Sequence, residues 1–357
     1  MKLLVLSIDG RGMGHLNRTT ILAQALEEAE PGAKVRFFAE SPACAMVEQQ
    51  GFGVWKLPDP MHRLGRYFIR GRRAQLEAEL MAPMVNSWRP DAVMLDFVLD
   101  GDLFGMIRAA GCKVLLVLRR LVPRAMAGLA KDPASDLVHG FLVPGEREDF
   151  SPGEIPSSIM SRCVFTGPLV RKIQLGRVGE LRKKYAGSAK RLVLVTLGGG
   201  GWEGAGELAE QAWDALLRLQ RDRPGFRGVM VCGPLFEGRT FETIGGVKSV
   251  RFEGMLAELM VACDAVVCSA GYNSTRELEA SGTPGVLLPL PDPGRDDQEA
   301  RARRAVDKGF ALMARVDASE IHRAVSSILD GRGPSRRKPM VADLSRCGKL
   351  LSSIISS

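Results

Sequence analysis

The stretch Val266-Val267-Cys268-Ser269-Ala270-Gly271-Tyr272-Asn273-Ser274-Thr275-Arg276-Glu277-Leu278 joins a β-branched run to a helical pattern through small residues. A buried strand that turns straight into a helix leaves unpaired N–H groups and a positive dipole end at the turn, a setting suited to a phosphate. Ser269 ends the strand, Gly271 allows close approach of a bound group, and Asn273 and Ser274 are first-turn residues able to cap or to bind. Glu277 stands one turn further in, where a carboxylate can accept hydrogen bonds from a ribose diol or simply complement the dipole.

Three further loops carry groups of the same kind. Leu197-Gly198-Gly199-Gly200-Gly201-Trp202 follows the apolar run Arg191–Thr196, and the amides of Gly199 and Gly200 are predicted to face a phosphate or sugar, four glycines in line having no evident packing purpose. Asp297-Gln298 opens a helical pattern after a proline-stiffened loop; these side chains are expected to meet sugar hydroxyls or, for Asp297 or Asp296, to cap the helix. Near the N-terminus, Asp9-Gly10-Arg11-Gly12-Met13-Gly14-His15-Leu16-Asn17-Arg18 separates a strand from a helix. His15 lies where open α/β sheets bind ligands and is a candidate general base. Gly12, Gly14 and Arg18 would form the acceptor- or phosphate-facing part of that loop. Asp96, ending the run Asp91–Asp96, is expected at the same sheet edge, where it could orient His15, act as base itself or cap the next helix. Arg119 and Arg120 follow another strand there and are possible anion contacts. The glycines of the first loop lack the GxGxxG spacing and no Walker lysine follows, which argues against a dinucleotide or P-loop site. Asp100-Gly101-Asp102 reads as helix capping, and no metal is assigned.

The elements that must position these groups alternate strand and helix. Strands are expected at 3–8, 34–39, 54–57, 91–97, 113–118, 191–196, 228–232, 264–268 and 284–288, with helices between them. The stretch 144–190, rich in proline and glycine, is expected to connect two domains. The class is α/β, with two Rossmann-like doubly wound domains facing a cleft. Residues 1–165 form the first domain, 166–335 the second, and 336–357 a helix packing back on the first.

The chain has 357 residues, 45% of them hydrophobic, enough for two cores. A net charge of +8 favours anionic partners without choosing among them. Seven cysteines without CxxC spacing read as reduced thiols of a cytoplasmic protein. No stretch approaches the roughly 20 apolar residues of a membrane span, and the first strand is too short for a signal peptide. The basic and aromatic patch Arg63–Arg73 could meet an anionic membrane surface or form a solvated face. No nucleic-acid signature is present.

Together these pieces resemble a known family. Gly12-Met13-Gly14-His15, Phe165-Thr166-Gly167-Pro168-Leu169-Val170-Arg171, the Thr196–Gly201 loop, Ser269–Glu277 and Asp297-Gln298 are similar, in order and spacing, to GT-B-fold glycosyltransferases, above all the MurG-like lipid-intermediate N-acetylglucosaminyltransferases of peptidoglycan synthesis. The resemblance implies a nucleotide-sugar donor, usually uridine-diphosphate-linked, in the C-terminal domain. Glu277 would bind the ribose, Ser274 and neighbouring amides the diphosphate, and Gln298 with Asp297 the sugar. His15 would touch acceptor or diphosphate and serve as base. It implies inverting, metal-independent transfer without a cofactor, to an acceptor that is lipid-linked or a small molecule, by a protein peripheral to the membrane. The first loop departs from the double-glycine form of the peptidoglycan enzyme, which points to a different acceptor. The Gly198–Gly201 loop lacks the polar pair often found there, which bears on the donor. Hydrolysis or epimerisation of a nucleotide sugar, or a non-catalytic scaffold role, are the alternatives on the same fold.

Overall fold

A computed structural model describes residues 1–7, 12–39, 41, 43–56, 70–96, 99–290, 297–340 and 343–357, with residues 70–78 described by backbone alone. The basic patch therefore falls outside the described residues up to position 69, as do Asp9, Gly10, Arg11 and Asp296. The chain divides into two compact units. The first contains Met1–Leu169 and Asp343–Ser357; the second contains Val170–Pro293 and Asp297–Ala342.

The first unit is built on seven parallel strands: β1 (Lys2–Ser7), β2 (Lys34–Ala39), β3 (Gly53–Lys56), β4 (Ala92–Asp96), β5 (Lys113–Val117), β6 (Gly140–Pro144) and β7 (Cys163–Gly167), in the order β3-β2-β1-β4-β5-β6-β7. The central strands are apolar along their length because both faces are covered. One face carries Leu4, Leu6, Val93, Leu95, Leu116 and Phe141 against Leu103, Phe104, Ile107 and Met126 of the helices Gly101–Ala109 and Pro123–Lys131. The helix Gly14–Ala29 packs against the C-terminal helix Ser345–Ser356. Gly348 makes that contact possible, since a Cβ there would overlap the Ala25 carbonyl oxygen. Ser352 Oγ donates to Glu30 at 2.7 Å and Lys113 Nζ to the Ile354 carbonyl at 3.0 Å, fixing the last helix to this unit.

The second unit has six parallel strands: β8 (Arg191–Thr196), β9 (Phe226–Val231), β10 (Val247–Val250), β11 (Ala265–Ser269), β12 (Gly285–Leu288) and β13 (Ala311–Met313), in the order β10-β9-β8-β11-β12-β13. The two-residue period of the strands sorts side chains between two cores. Val193, Val195, Val267 and Val286 face the helices Ala205–Asp222 and Ala318–Leu329. Leu192, Leu194, Val266, Cys268 and Leu287 face the helices Val178–Ala186, Leu256–Ala262, Tyr272–Ser281 and Gln298–Asp307.

Both units are doubly wound. In the first, β1 pairs with β2 on one side and β4 on the other. In the second, β8 pairs with β9 and β11. Each sheet therefore reverses direction next to its first strand, and the crevice outside the strand ends at such a reversal is where open α/β sheets take ligands. The loops there follow β1 and β4 in one unit, and β8 and β11 in the other. One strand, β7, lies within the stretch 144–190 expected to connect the two domains, and β6 ends at its first residue. β6 and β7 extend the first sheet, and Gly145 and Gly167 exchange backbone hydrogen bonds of 2.9 and 3.1 Å at their ends.

Candidate active site

In the first unit the reversal point brings together His15, Arg18 and Asp96. Asp96 ends β4 and is 1% exposed; Arg18, one turn into the Gly14–Ala29 helix, is 3% exposed. Arg18 Nε donates to Asp96 Oδ2 at 2.9 Å and Nη2 to Oδ1 at 3.2 Å, a two-point carboxylate grip. Burial pushes the Asp96 carboxyl up, but the Arg18 guanidinium and His15 outweigh it and hold it at about 2. Asp96 is thus an ionised acceptor and too weak a base to take a proton from a hydroxyl. His15 Nδ1 lies 3.2 Å from the Asp96 carbonyl oxygen and 3.2 Å from Oδ1. Both are acceptors, so Nδ1 carries the ring proton, and the basic lone pair of neutral His15 resides on Nε2.

This geometry corrects one expectation. Arg18 does not form part of an acceptor- or phosphate-facing surface; a carboxylate buried beside a histidine needs a cation, and Arg18 is that cation. Gly14 begins the helix, and Met13 before it supplies no side-chain cap. At Gly12 the nearest atom of the described residues to an added Cβ is Gly14 N at 3.9 Å. Arg120 is also occupied internally: it pairs with Glu154, Nη2 to Oε2 at 2.8 Å, and donates to the Asp149 carbonyl, so it is no anion contact at the sheet edge.

In the second unit the loops after β8 and β11 meet. An ideal Cβ on Gly198 would lie 3.9 Å from Ser274 Oγ. The Tyr272–Ser281 helix starts after Gly271, whose φ of −62° any residue could adopt and which has no side chain with which to cap it. Ser269, at the end of β11, is 8% exposed, and Asn273 and Ser274 are half-buried in the first helical turn. Glu277 is 5% exposed and receives Arg171 Nη2 at 3.0 Å and Nε at 3.2 Å on Oε1.

The glycine loop is not a uniform cradle of amides. Gly200 has φ +79°, its N–H donates to the Leu197 carbonyl at 3.2 Å, and a Cβ there would overlap the Cys232 carbonyl oxygen. Gly233 fits as tightly against Gly198 and Gly199, and the Gly199 carbonyl accepts from Leu235 N at 2.9 Å. The glycines at 200 and 233 therefore let two loops pack backbone to backbone. That corrects the expectation that the run has no packing purpose, and with it the assignment of the Gly200 amide to a ligand.

Asp297 caps the Gln298–Asp307 helix, its Oδ1 accepting from Ala300 N at 2.9 Å. Gln298 Oε1 accepts from Leu290 N at 3.1 Å, which draws the head of this helix onto the end of β12. Arg301, which sequence reasoning passed over, donates through Nη1 to the Ala270 carbonyl at 2.7 Å, joining the same helix to the turn after β11. Arg171, which ends the motif Phe165–Arg171, likewise has a partner that the sequence does not indicate. Among the described residues no group of three His, Cys, Asp or Glu side chains is arranged to hold a metal ion, and no helix is long and apolar enough to cross a membrane.

Comparison with known proteins bears on the fold and the class of reaction. Residues 194–346 match the glycosyltransferase family 28 C-terminal domain. The UDP-N-acetylglucosamine--N-acetylmuramyl-(pentapeptide) pyrophosphoryl-undecaprenol N-acetylglucosamine transferase of Alkaliphilus metalliredigens is 24% identical over 91% of this chain and 90% of its own. The enzyme of the same name from Symbiobacterium thermophilum is 28% identical over 86% of this chain and 82% of its own. Among solved structures, Acinetobacter baumannii MurG superposes with a TM-score of 0.57 at 15% identity, covering 99% of this chain and 98% of that one, a likeness of fold. The chain is a glycosyltransferase of GT-B fold, similar to the peptidoglycan lipid-intermediate N-acetylglucosaminyltransferases, and its residues 194–346 match the family 28 C-terminal domain.

Proposed function

We propose that this enzyme takes a sugar from a uridine-diphosphate-linked donor and passes it, with inversion and without a metal ion, to a hydroxyl of a lipid-linked acceptor. The observation that carries the donor half is the meeting of Gly198 and Ser274 at the β8–β11 reversal, beside a helix N-terminus whose N-cap residue is a glycine. A diphosphate seated there would receive first-turn amides and the Ser274 hydroxyl, and its growing charge on departure would fall on preorganised donors. Glu277, one turn deeper, would take the ribose hydroxyls; Gln298 and Asp297 would face the sugar. Residues 170–342 are then the donor half and residues 1–169 the acceptor half.

His15 is the proposed base. With Nδ1–H held by Asp96, Nε2 would accept the acceptor proton as the hydroxyl attacks the anomeric carbon, and the buried Asp96 carboxylate would stabilise the imidazolium. The lipid-linked acceptor is supported by the names of the relatives, which specify a pyrophosphoryl-undecaprenol acceptor. A cytoplasmic location at the membrane surface follows from that acceptor.

Calorimetry with uridine diphosphate tests the donor half: the wild-type chain should bind, and Glu277→Ala should weaken binding by about tenfold or more, the value of a lost charge-assisted hydrogen-bond pair. Absence of binding in both proteins overturns the reading. Sugar release at a rate that no acceptor raises would replace transfer by hydrolysis, and transfer only to small molecules would remove the lipid acceptor.

A further inference from the structure

We infer that Arg301 is a positioning residue that sets the affinity of the donor site for the diphosphate, acting from behind the turn at Ala270-Gly271; the inference rests on the donor reading above. Ala270 is fully buried, and its N–H continues the sheet by donating to Leu288 O at 3.0 Å. Leu288 is the last residue of β12, so the Ala270 carbonyl lies past the end of the neighbouring ladder. A buried carbonyl in that position needs a donor from elsewhere. Arg301 supplies it from the second turn of the Gln298–Asp307 helix, 31 residues along the chain, at 2.7 Å.

The choice of donor has an electrostatic consequence. A backbone amide or a glutamine would satisfy the carbonyl equally well. A guanidinium also places a positively charged group against the carbonyl one residue before the N-cap of the Tyr272–Ser281 helix, the end at which that helix carries its own partial positive charge. The charge and the dipole thus add at the turn that would face a diphosphate. The same side chain ties that turn to the helix whose first residue, Gln298, holds Leu290 N, so one helix fixes both the turn after β11 and the end of β12. Nothing in this arrangement addresses a nucleoside without phosphate.

The test compares uridine diphosphate with uridine as ligands for the full chain, by calorimetry, in the wild type, Arg301→Lys and Arg301→Gln, with thermal melting as a fold control. Arg301→Gln removes the charge and leaves a shorter amide donor in place of the guanidinium. It should weaken uridine diphosphate by about tenfold, the effect of one unit charge several ångströms away at intermediate dielectric, and leave uridine unchanged. Arg301→Lys should retain most of the diphosphate affinity, and the wild type should show the steeper loss of affinity with added salt. Equal weakening of both ligands in Arg301→Gln, or no change in either, overturns the inference while the donor reading stands. Should Arg301→Gln not fold, Arg301→Lys together with the wild-type salt dependence decides. A wild-type chain that binds neither ligand defeats the donor reading itself.

Discussion

Arg171 places two guanidinium nitrogens on the same oxygen of Glu277, Nη2 at 3.0 Å and Nε at 3.2 Å from Oε1. The carboxylate is buried, whereas the arginine side chain is 31% exposed, so the pair is a buried acid held by a cation at its edge. Removing the cation takes from the buried carboxylate the two guanidinium contacts on Oε1. Arg171→Ala is expected to lower stability by about 1–2 kcal/mol, less than a fully buried pair would lose because water reaches the arginine. It should also raise the donor KM, since Glu277 loses the contact that fixes its oxygens. Thermal melting and donor-saturation kinetics read the two effects. An Arg171→Ala protein with unaltered donor KM would separate this ion pair from the proposed ribose contact.

The Asp96 carboxylate gives the protein an acid-sensitive contact. Its folded pKa, at about 2, lies below that of the unfolded chain, near 4. A depressed acid contributes stability that is full above the unfolded value and is lost as pH falls through the folded one. The window is therefore pH 4 down to 2, and the difference amounts to about 2 kcal/mol at neutral pH. Asp96→Asn should flatten that part of the acid-unfolding curve, followed by circular dichroism. It should also reduce kcat, on the order of 10²-fold, by withdrawing the negative charge that stabilises the protonated His15. The KM for donor should change little, since Asp96 is not among the proposed donor-binding residues.

Much of this architecture can be read from residue patterns, and the parts that cannot share a cause. β2 and β8 occupy the expected positions because each is a short run dominated by apolar residues between polar or glycine-rich loops. The helix Ala318–Leu329 follows its 3.6-residue pattern from an aspartate cap, Asp317. β6 and β7 were obscured by the prolines and glycines around them, since their strand character comes from pairing with each other and with β5. β10 and β13 are four and three residues long at the sheet edges, too short to show a period. In the candidate site, the residues on strand ends and helix starts could be identified locally. Their partners could not: Arg18 and Asp96 are 78 positions apart, and Arg171 and Glu277 are 106 apart. Only the folded sheet brings them into contact.

His139 supplies a second pH effect, away from the candidate site. Val114 N donates to His139 Nδ1 at 3.0 Å, so the ring must be neutral at that nitrogen to keep the bond. Burial, with the Arg108 and Lys113 charges, pulls its pKa below the ordinary histidine value. The unfolded chain then takes up the proton first as pH falls. Stability contributed by this group is full above about pH 6.5 and declines below it until the folded protein is protonated as well. Urea midpoints at pH 7.5 and 5.5 should differ more in the wild type than in His139→Gln. An equal difference in both proteins would assign the pH dependence to other groups.

Two glycines of the donor unit should respond oppositely to the same substitution. Gly200 has φ +79° and no room for a Cβ beside the Cys232 carbonyl. Gly200→Ala is therefore expected to cost about 2 kcal/mol or more, from left-handed backbone strain plus steric overlap, and to appear as a lowered melting temperature. Gly271 has φ −62°, and among the described residues the nearest atom to an added Cβ is Ser269 Oγ at 3.8 Å. Gly271→Ala should melt within a degree or two of the wild type, as expected where neither backbone nor packing objects. A methyl at the head of the Tyr272–Ser281 helix would instead intrude on whatever approaches those amides, so uridine diphosphate affinity should fall while stability holds. If Gly271→Ala binds the nucleotide as tightly as the wild type, the diphosphate does not lie against this turn.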